Sequence, residues 1–461
     1  MSRSAPRTGT LLAGAAEACI TPNRPVELAG YHGVRVAKKV RDGLFCRACV
    51  LRSGSSAVGW VSCDVIALPE GVVASIQREV ARRLGRGVPC MIGATHTHTA
   101  PSPVDLLSST VDRRFVAALV RGAADAVVRA FRGAAPARLG SGSGLEKTTL
   151  FHRRFLMRDG RVKTNPGVRN PEIVRPEGPV DPTVGLLKVE GQGGRPIAAV
   201  VTFGNHVDTL GRDEVSADWP GALSRHLKRR FGKKFVTIFL CGAQGNVNHV
   251  NVRGRGPIMG PRVTERIGLR VGAAVAKAWK RIPLASEVRM ATLERKVRFP
   301  RRRIARKELS GARVLLKGVR LPYRVTRPLT SFDLAKGSLE GDRLEAQEIL
   351  ALARFKGRRE AAGLLGIAVG NTAWLAVPGE VFVETGLTLR RRSPFRHTFV
   401  AGLANGYLGY MPTDAAFRKG GYETMPARSS PLAPGTEKIV LREGQRVLKN
   451  LFKLNHKRNQ P

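Results

Sequence analysis

Two histidines in the segment MIGATHTHTAPSP, His96 and His98, are the first residues whose spacing suggests chemistry. The run MIGAT before them has a buried-strand pattern, and in an extended chain side chains two apart point to the same side. Both imidazoles would then face one ligand. Pro101 and Pro103 mark where the strand has ended. A polar turn with two solvated histidines is the plainer reading of the same letters. A second apolar run, AAVVTFGNH, ends on Asn205 and His206, and a third, GWVSCD, ends on Asp64. Ligands bind at strand ends in α/β sheets, so these residues would form one site if their strands are parallel neighbours. Imidazole and carboxylate ligands around an open position suit zinc, which polarises a carbonyl and lowers the pKa of a bound water to about 7.

The elements that must position this site alternate along the chain. Strand-like runs fall at 45–52, 57–65, 89–95, 184–190, 197–204, 235–241, 364–370, 373–377 and 397–403. Helical periodicity falls at 69–86, 110–132, 218–230, 262–281, 342–356, 381–392 and 434–452. The N-terminal run LLAGAAEACI is broken by Glu17 and reads as a first strand rather than a signal segment. The alternation predicts an α/β fold of mixed, largely parallel sheets flanked by helices. Residues 142–183 and 299–341, rich in Arg, Pro and Gly, read as long excursions from the core. Cys46 and Cys49 form a CxxC, but on a strand residues three apart face opposite sides of the sheet, and no second CxxC exists to complete a zinc site.

Charge is the largest compositional anomaly: 78 Lys and Arg against 35 Asp and Glu give +43. A hydrophobic content of 43% argues against a disordered basic tail. No stretch approaches the roughly 20 apolar residues of a membrane span. Six cysteines are too few for a disulfide scaffold, which points to a cytoplasmic protein. The charge suggests a binder of nucleic acid or anionic surfaces, with runs such as Arg301, Arg302, Arg303, Arg306 and Lys307, and Arg390 to Arg392. No nucleic-acid motif accompanies them and aromatics are 6%, so no specific nucleic-acid partner is expected. Peripheral contact with an anionic membrane surface uses such charge better.

Five separated segments carry a more specific signal: AGYHG, ATHTHTAPSP, FGNH followed by SADWPG, VPGE, and AGLANGYLGYMPT followed by GGYE. Their order and spacing resemble the neutral/alkaline, non-lysosomal ceramidases, over about residues 11–453, in the short form that has the catalytic region alone. The resemblance implies a zinc amidase acting on a lipid amide such as ceramide. It implies one zinc ion per chain held by His96, His206, Glu380 and Tyr422. Such a site draws on most of the chain, which implies a single large catalytic domain over 11–453 with basic termini at 1–10 and 454–461. Read without the resemblance, Glu380 is a carboxylate opening a helix, and Tyr422 a half-buried aromatic beside a Gly pair.

A metal-activated water would attack the amide carbonyl, with His98 as general acid/base; the resemblance implies that Arg153, in FHRR, lies near the metal and the substrate head, with Arg154 its adjacent alternative. Asp64 and Asp218 would orient the ligating imidazoles. The chain departs from the family at Gly245–Val250, where Asn246 replaces an Asp and Asn248 a Ser. A serine nucleophile is therefore excluded at that position, and a different head group becomes a live option. Two alternatives remain: a zinc-dependent ester or phosphoester hydrolase, and a basic binding protein with a vestigial metal site.

Overall fold

The computed structural model describes residues 10–325, 329, 338–355 and 357–456, so the basic termini fall almost wholly outside the described residues. Eight strands build the principal sheet: β1 (Leu12–Cys19), β2 (Phe45–Ser53), β3 (Ser56–Cys63), β4 (Cys90–Ala94), β5 (Ala135–Leu145), β6 (Thr183–Gly191), β7 (Pro196–Phe203) and β8 (Val236–Cys241). Their spatial order is β8-β7-β6-β5-β1-β2-β3-β4. A second sheet holds β9 (Met290–Pro300), β10 (Arg359–Val369), β11 (Thr372–Ala376) and β12 (His397–Ala401) in that order. The principal helices are α1 (Glu70–Leu84), α2 (Arg113–Arg132), α3 (Asp218–Phe231), α4 (Pro261–Arg281), α5 (Arg306–Leu315), α6 (Leu339–Ala353), α7 (Val383–Arg391) and α8 (Thr436–His456).

The mixed α/β class with helix-flanked sheets is as read from the sequence, but the parallel share is smaller than expected. In the principal sheet the terminal pairs β7–β8 and β3–β4 are parallel and the five ladders between them are antiparallel. Short connections impose two of these ladders, β2–β3 and β6–β7. Ser53 pairs with Ser56 across a tight turn in which Gly54 takes a φ of 56°, and such hairpins join only antiparallel strands.

Side-chain alternation along each strand builds four layers. One face of the principal sheet, with Cys46, Val61 and Ile92, packs on α1–α4 through Ile76, Leu119, Leu223 and Val271. The other face, with Cys49, Trp60 and Ile238, packs on Ile367, Trp374 and Phe399 of the second sheet. Trp60 and Trp374 meet edge to face, 5.2 Å apart, across that seam. The far side of the second sheet is covered by α8 through Val440, Val447, Leu448 and Leu451. Cys46 and Cys49 do lie on opposite faces, buried and unpaired, and burial pushes the Cys49 thiol up to about 12. Among the described residues no helix is long and apolar enough to cross a membrane.

β5 is the one strand of the principal sheet that the sequence pattern conceals, because APARLGSGSGL shows no strand-like run and its last residues open the 142–183 excursion. Its glycines lie beneath α4 and the chain that follows it. A Cβ on Gly140 would stand 2.1 Å from the Pro283 carbonyl oxygen, and one on Gly144 would stand 2.7 Å from that of Ala274. Close approach of another backbone, rather than flexibility, calls for glycine here.

Candidate metal centre

β4 stops at Ala94, and His96 takes a φ of 71°, so the two histidines do not lie on an extended strand as expected. A left-handed turn aims them instead. It is held by Thr95 N–H to Cys63 O (2.9 Å), His96 N–H to Val65 O (2.9 Å) and His98 N–H to Val207 O (3.3 Å). Nor are the contributing strands parallel neighbours, since β4 and β7 stand near opposite ends of the ladder. The sheet closes on itself, bringing β8 against β2, β3 and β4, and Cys241 Sγ donates to Thr95 O at 3.2 Å.

The segment after β12 locks this closure. Ala94 N–H donates to Leu403 O (3.1 Å), Gly402 N–H to Cys241 O (2.8 Å) and Leu403 N–H to Gly379 O (3.0 Å). The Asn405 amide completes the free edge of β4, accepting from Ile92 N–H at 3.0 Å and donating to Cys90 O at 3.2 Å. Glu380 thereby arrives beside the histidines. It sits in a short parallel bridge with Tyr410, ahead of α7, rather than opening that helix.

Ligand-capable nitrogens of His96, His98 and His206 lie within 4.8 Å of one another, and all three residues are buried. The partners of two of them fix the tautomer. His96 Nδ1–H donates to Ile66 O at 2.8 Å, and His206 Nδ1–H donates to Gln244 Oε1. Both Nε2 atoms are therefore lone pairs, and they stand 3.2 Å apart. His98 Nε2 lies 3.4 Å from His96 Nε2, and the unpartnered Glu380 Oε2, on a residue 2% exposed, lies 3.5 Å from it. Acceptors converging at this distance need a cation between them. Protons on His98 and His206 do not serve near neutral pH: burial outweighs the nearby Asp208 carboxylate and lowers His98 to about 3, and burial followed by Arg153 holds His206 well below its ordinary value. The donor set, imidazole nitrogens with one carboxylate oxygen, fits a zinc ion.

The cluster opens into a cavity of about 320 Å³ lined by Tyr31, His32, His98, Arg153, His206, Asp208, Asn248, His249, Tyr410 and Tyr422, with Ile258, Met259 and Leu329 among its apolar walls. Arg153, rather than Arg154, faces it. Its guanidinium donates to Glu423 Oε1 (2.7 Å) and Gly245 O (2.7 Å) and comes within 3.5 Å of the His206 ring. Arg154 turns away to Glu177, Glu423 and Gly420 O. Tyr422 shares the cavity, and burial followed by the Glu380 carboxylate pushes its phenol up, so that it stays protonated in the absence of a cation.

Other expectations are corrected. Asp64 orients no imidazole: it accepts from Phe45 N–H and Arg47, both at 2.8 Å, and joins the ends of β2 and β3. Asp218 accepts from Thr209, Leu210 N–H and Trp219 N–H, fixing the loop after His206 rather than its ring. Backbone and amide oxygens, Ile66 O and Gln244 Oε1, do the orienting. Asn246 holds Val383 N–H and Glu384 behind the cavity, whereas Asn248 lines it. Asp208 was not singled out by sequence. Its carboxylate accepts from the Tyr31 hydroxyl and stands 4.0 Å from His98 Nδ1. Its two-residue offset from His206 was the available signal. Gly30 belongs to the site for steric reasons: at a φ of 97°, a Cβ there would lie 2.4 Å from His98 Nδ1.

Among solved structures, the chain is similar to a neutral ceramidase from Pseudomonas aeruginosa, with a TM-score of 0.72 and 20% identity over 95% of this chain and 74% of that one. The fold is that of the neutral ceramidases. A structure of a ceramidase complexed with C2 gives the same TM-score and identity over 96% of this chain and 75% of that one. No protein-family model and no curated protein matches the chain. The neutral ceramidase fold anticipated from the five motifs is thus the fold observed, and the histidine cluster is a site that could hold a metal ion.

Proposed function

We propose that the chain is a zinc-dependent hydrolase that cleaves the amide bond of an N-acyl lipid such as ceramide. The observation that carries this reading is the convergence of two tautomer-fixed Nε2 lone pairs with the orphaned Glu380 oxygen at the end of the cavity. His96, His206 and Glu380 would hold the ion, with Tyr422 the fourth ligand. A zinc ion bound there supplies Lewis acidity and a nucleophile competent near neutral pH.

The chain's own residues divide the remaining work. His98 is the acid/base because, unlike His96 and His206, its Nδ1 has no hydrogen-bond partner; with Asp208 at 4.0 Å it can carry the proton on either nitrogen. Burial keeps the His98 ring neutral at rest, and the Asp208 carboxylate opposes that penalty, favouring the imidazolium when the ring takes up a proton. Arg153, held by Glu423 and Gly245 O, orients the carbonyl end of the substrate and favours developing negative charge. A phosphoester is a poorer fit, because its anionic head would lie against Asp208, which Tyr31 and Arg35 help to keep ionised despite burial. The site gathers residues from Gly30 to Tyr422, which supports one catalytic unit over 11–453. Six unpaired cysteines support a cytoplasmic setting.

The test is metal content and turnover on an N-acyl amide panel set beside phosphoesters. The wild type should hold about one zinc per chain, and His96→Ala and His206→Ala should lose both metal and turnover. Full activity in a demonstrably metal-free protein would end the proposal.

A further inference from the structure

The excess of positive charge plays no part in the cavity, yet one stretch joins it to exposed apolar surface. From Arg301 to Arg324, nine Lys and Arg stand against one acid, Glu308. Ten large apolar side chains are exposed among the described residues, and three of them, Val314 (75%), Leu315 (39%) and Leu321 (43%), fall within this stretch. Between and beside them Arg313, Lys317 and Arg320 are exposed, with no acidic partner among the described residues. The core does not require these apolar groups outside. α5 already packs inward through Ala312 and Leu316, against Ala346, Ile349 and Leu350 of α6.

Residues just beyond this stretch adjoin the cavity. Val34 N–H donates to Val325 O at 2.9 Å, and Leu329, a wall of the cavity, donates from its N–H to His32 O. We infer that α5 and the turn to Leu321 form a docking surface for an anionic lipid bilayer, with Val314, Leu315 and Leu321 entering the interface and Arg313, Lys317 and Arg320 meeting the head groups. Apolar side chains interleaved with unpaired cations are what an interfacial segment requires. A nucleic acid would call for stacking aromatics, and the one aromatic here, Tyr323, is half-buried, with its backbone held by Gln347. The inference rests on the reading of the cavity as an N-acyl lipid site, because such a substrate resides in the bilayer that the surface would engage.

The experiment is co-sedimentation of the full chain with phosphatidylcholine vesicles and with vesicles containing phosphatidylglycerol, at low and high salt. Turnover of a soluble short-chain N-acyl amide is followed in parallel. The wild type should bind the anionic vesicles and be released by salt. Combined Arg313→Glu, Lys317→Glu and Arg320→Glu should weaken binding at least about tenfold, and combined Val314→Ser, Leu315→Ser and Leu321→Ser at least about threefold. A control with the same change in net charge, Arg262→Glu, Arg266→Glu and Arg270→Glu on α4, should stay within about twofold. Soluble-amide turnover should be unchanged in all three. Equal binding to both vesicle types, or a control as impaired as the α5 variant, would overturn the docking surface. So would tight binding of single-stranded RNA without vesicle binding. Vesicle binding that follows the α5 residues in a protein inactive on every amide would leave the surface standing and refute the amidase reading.

Discussion

Two buried polar clusters lie side by side in this fold and share Arg153, yet their chemistry is opposite. Around Glu423 every charge is answered: its carboxylate accepts from Arg153 (2.7 Å), Arg154 (2.8 Å) and the Thr164 hydroxyl (2.7 Å), and Arg154 is tied in turn to Glu177. Around His96 the acceptors face one another, and the Glu380 oxygen has no partner. Burial taxes both clusters, so the first persists because it is self-sufficient and the second because something else completes it. A closed network holds structure, and an open one of this kind holds a ligand.

The contrast breaks first at the open cluster. Glu380→Gln and His96→Ala should each lower amide turnover at least about a thousandfold and remove bound zinc, and Glu380→Gln should leave the metal-free protein as stable to urea as the wild type, or more so. Marked destabilisation of metal-free Glu380→Gln would mean that the carboxylate is already satisfied. The closed cluster should behave in the reverse way. Glu423→Gln leaves Arg153 and Arg154 facing a neutral amide and should cost about 3–5 kcal/mol in urea unfolding, with zinc still bound by the folded fraction. Loss of zinc without loss of stability would erase the distinction.

Acid separates the two clusters more gently. Burial lowers His32, in the cavity wall, to about 4, so its imidazole is neutral in the fold and takes up a proton on unfolding below 6.5. Its contribution is complete above pH 6.5 and is lost as pH falls from 6.5 towards 4, on the order of 3 kcal/mol. Glu423 is shifted in the other direction: burial opposes its charge, but the two arginines hold it below the ordinary carboxylate value, so its contribution is lost only below about pH 4.5. Urea unfolding of the metal-free protein at pH 7 and 5, with His32→Gln beside it, checks the order. The variant should show the smaller decline. The smallest effect is expected at the CxxC: Cys46→Ala and Cys49→Ala should keep zinc and turnover and cost about 1 kcal/mol each, because the thiols fill core space on opposite faces and only Cys46 adds a weak bond, to Leu119 O.

Much of this was legible from sequence because burial leaves a period. The strands β2, β3, β4, β7 and β8 and the helices α1–α4 fall close to their expected ranges, and the five motifs pointed to the right fold. What stayed hidden depended on partners distant in the chain. β5 left no strand signal because its glycines answer to α4. Asp64 looked like a ligand's companion because nothing local reveals that Arg47 already takes its charge. The orienting acceptors Ile66 O and Gln244 Oε1 have no spacing signature at all. His96 and His98 were found for a partly mistaken reason, since a left-handed turn, not a pleat, aims them.

The Asn405 side chain has a consequence for solubility. β4 is the outermost strand of its sheet, and a single amide occupies Ile92 N–H and Cys90 O, the groups through which a second chain would otherwise pair. The amide thus completes the cover that Leu403 O and Asn405 N–H give to the rest of that edge. Conversion of Asn405 to Asp would keep the acceptor but set a carboxylate against the Cys90 carbonyl, so deamidation here would open one end of the edge to pairing by another chain.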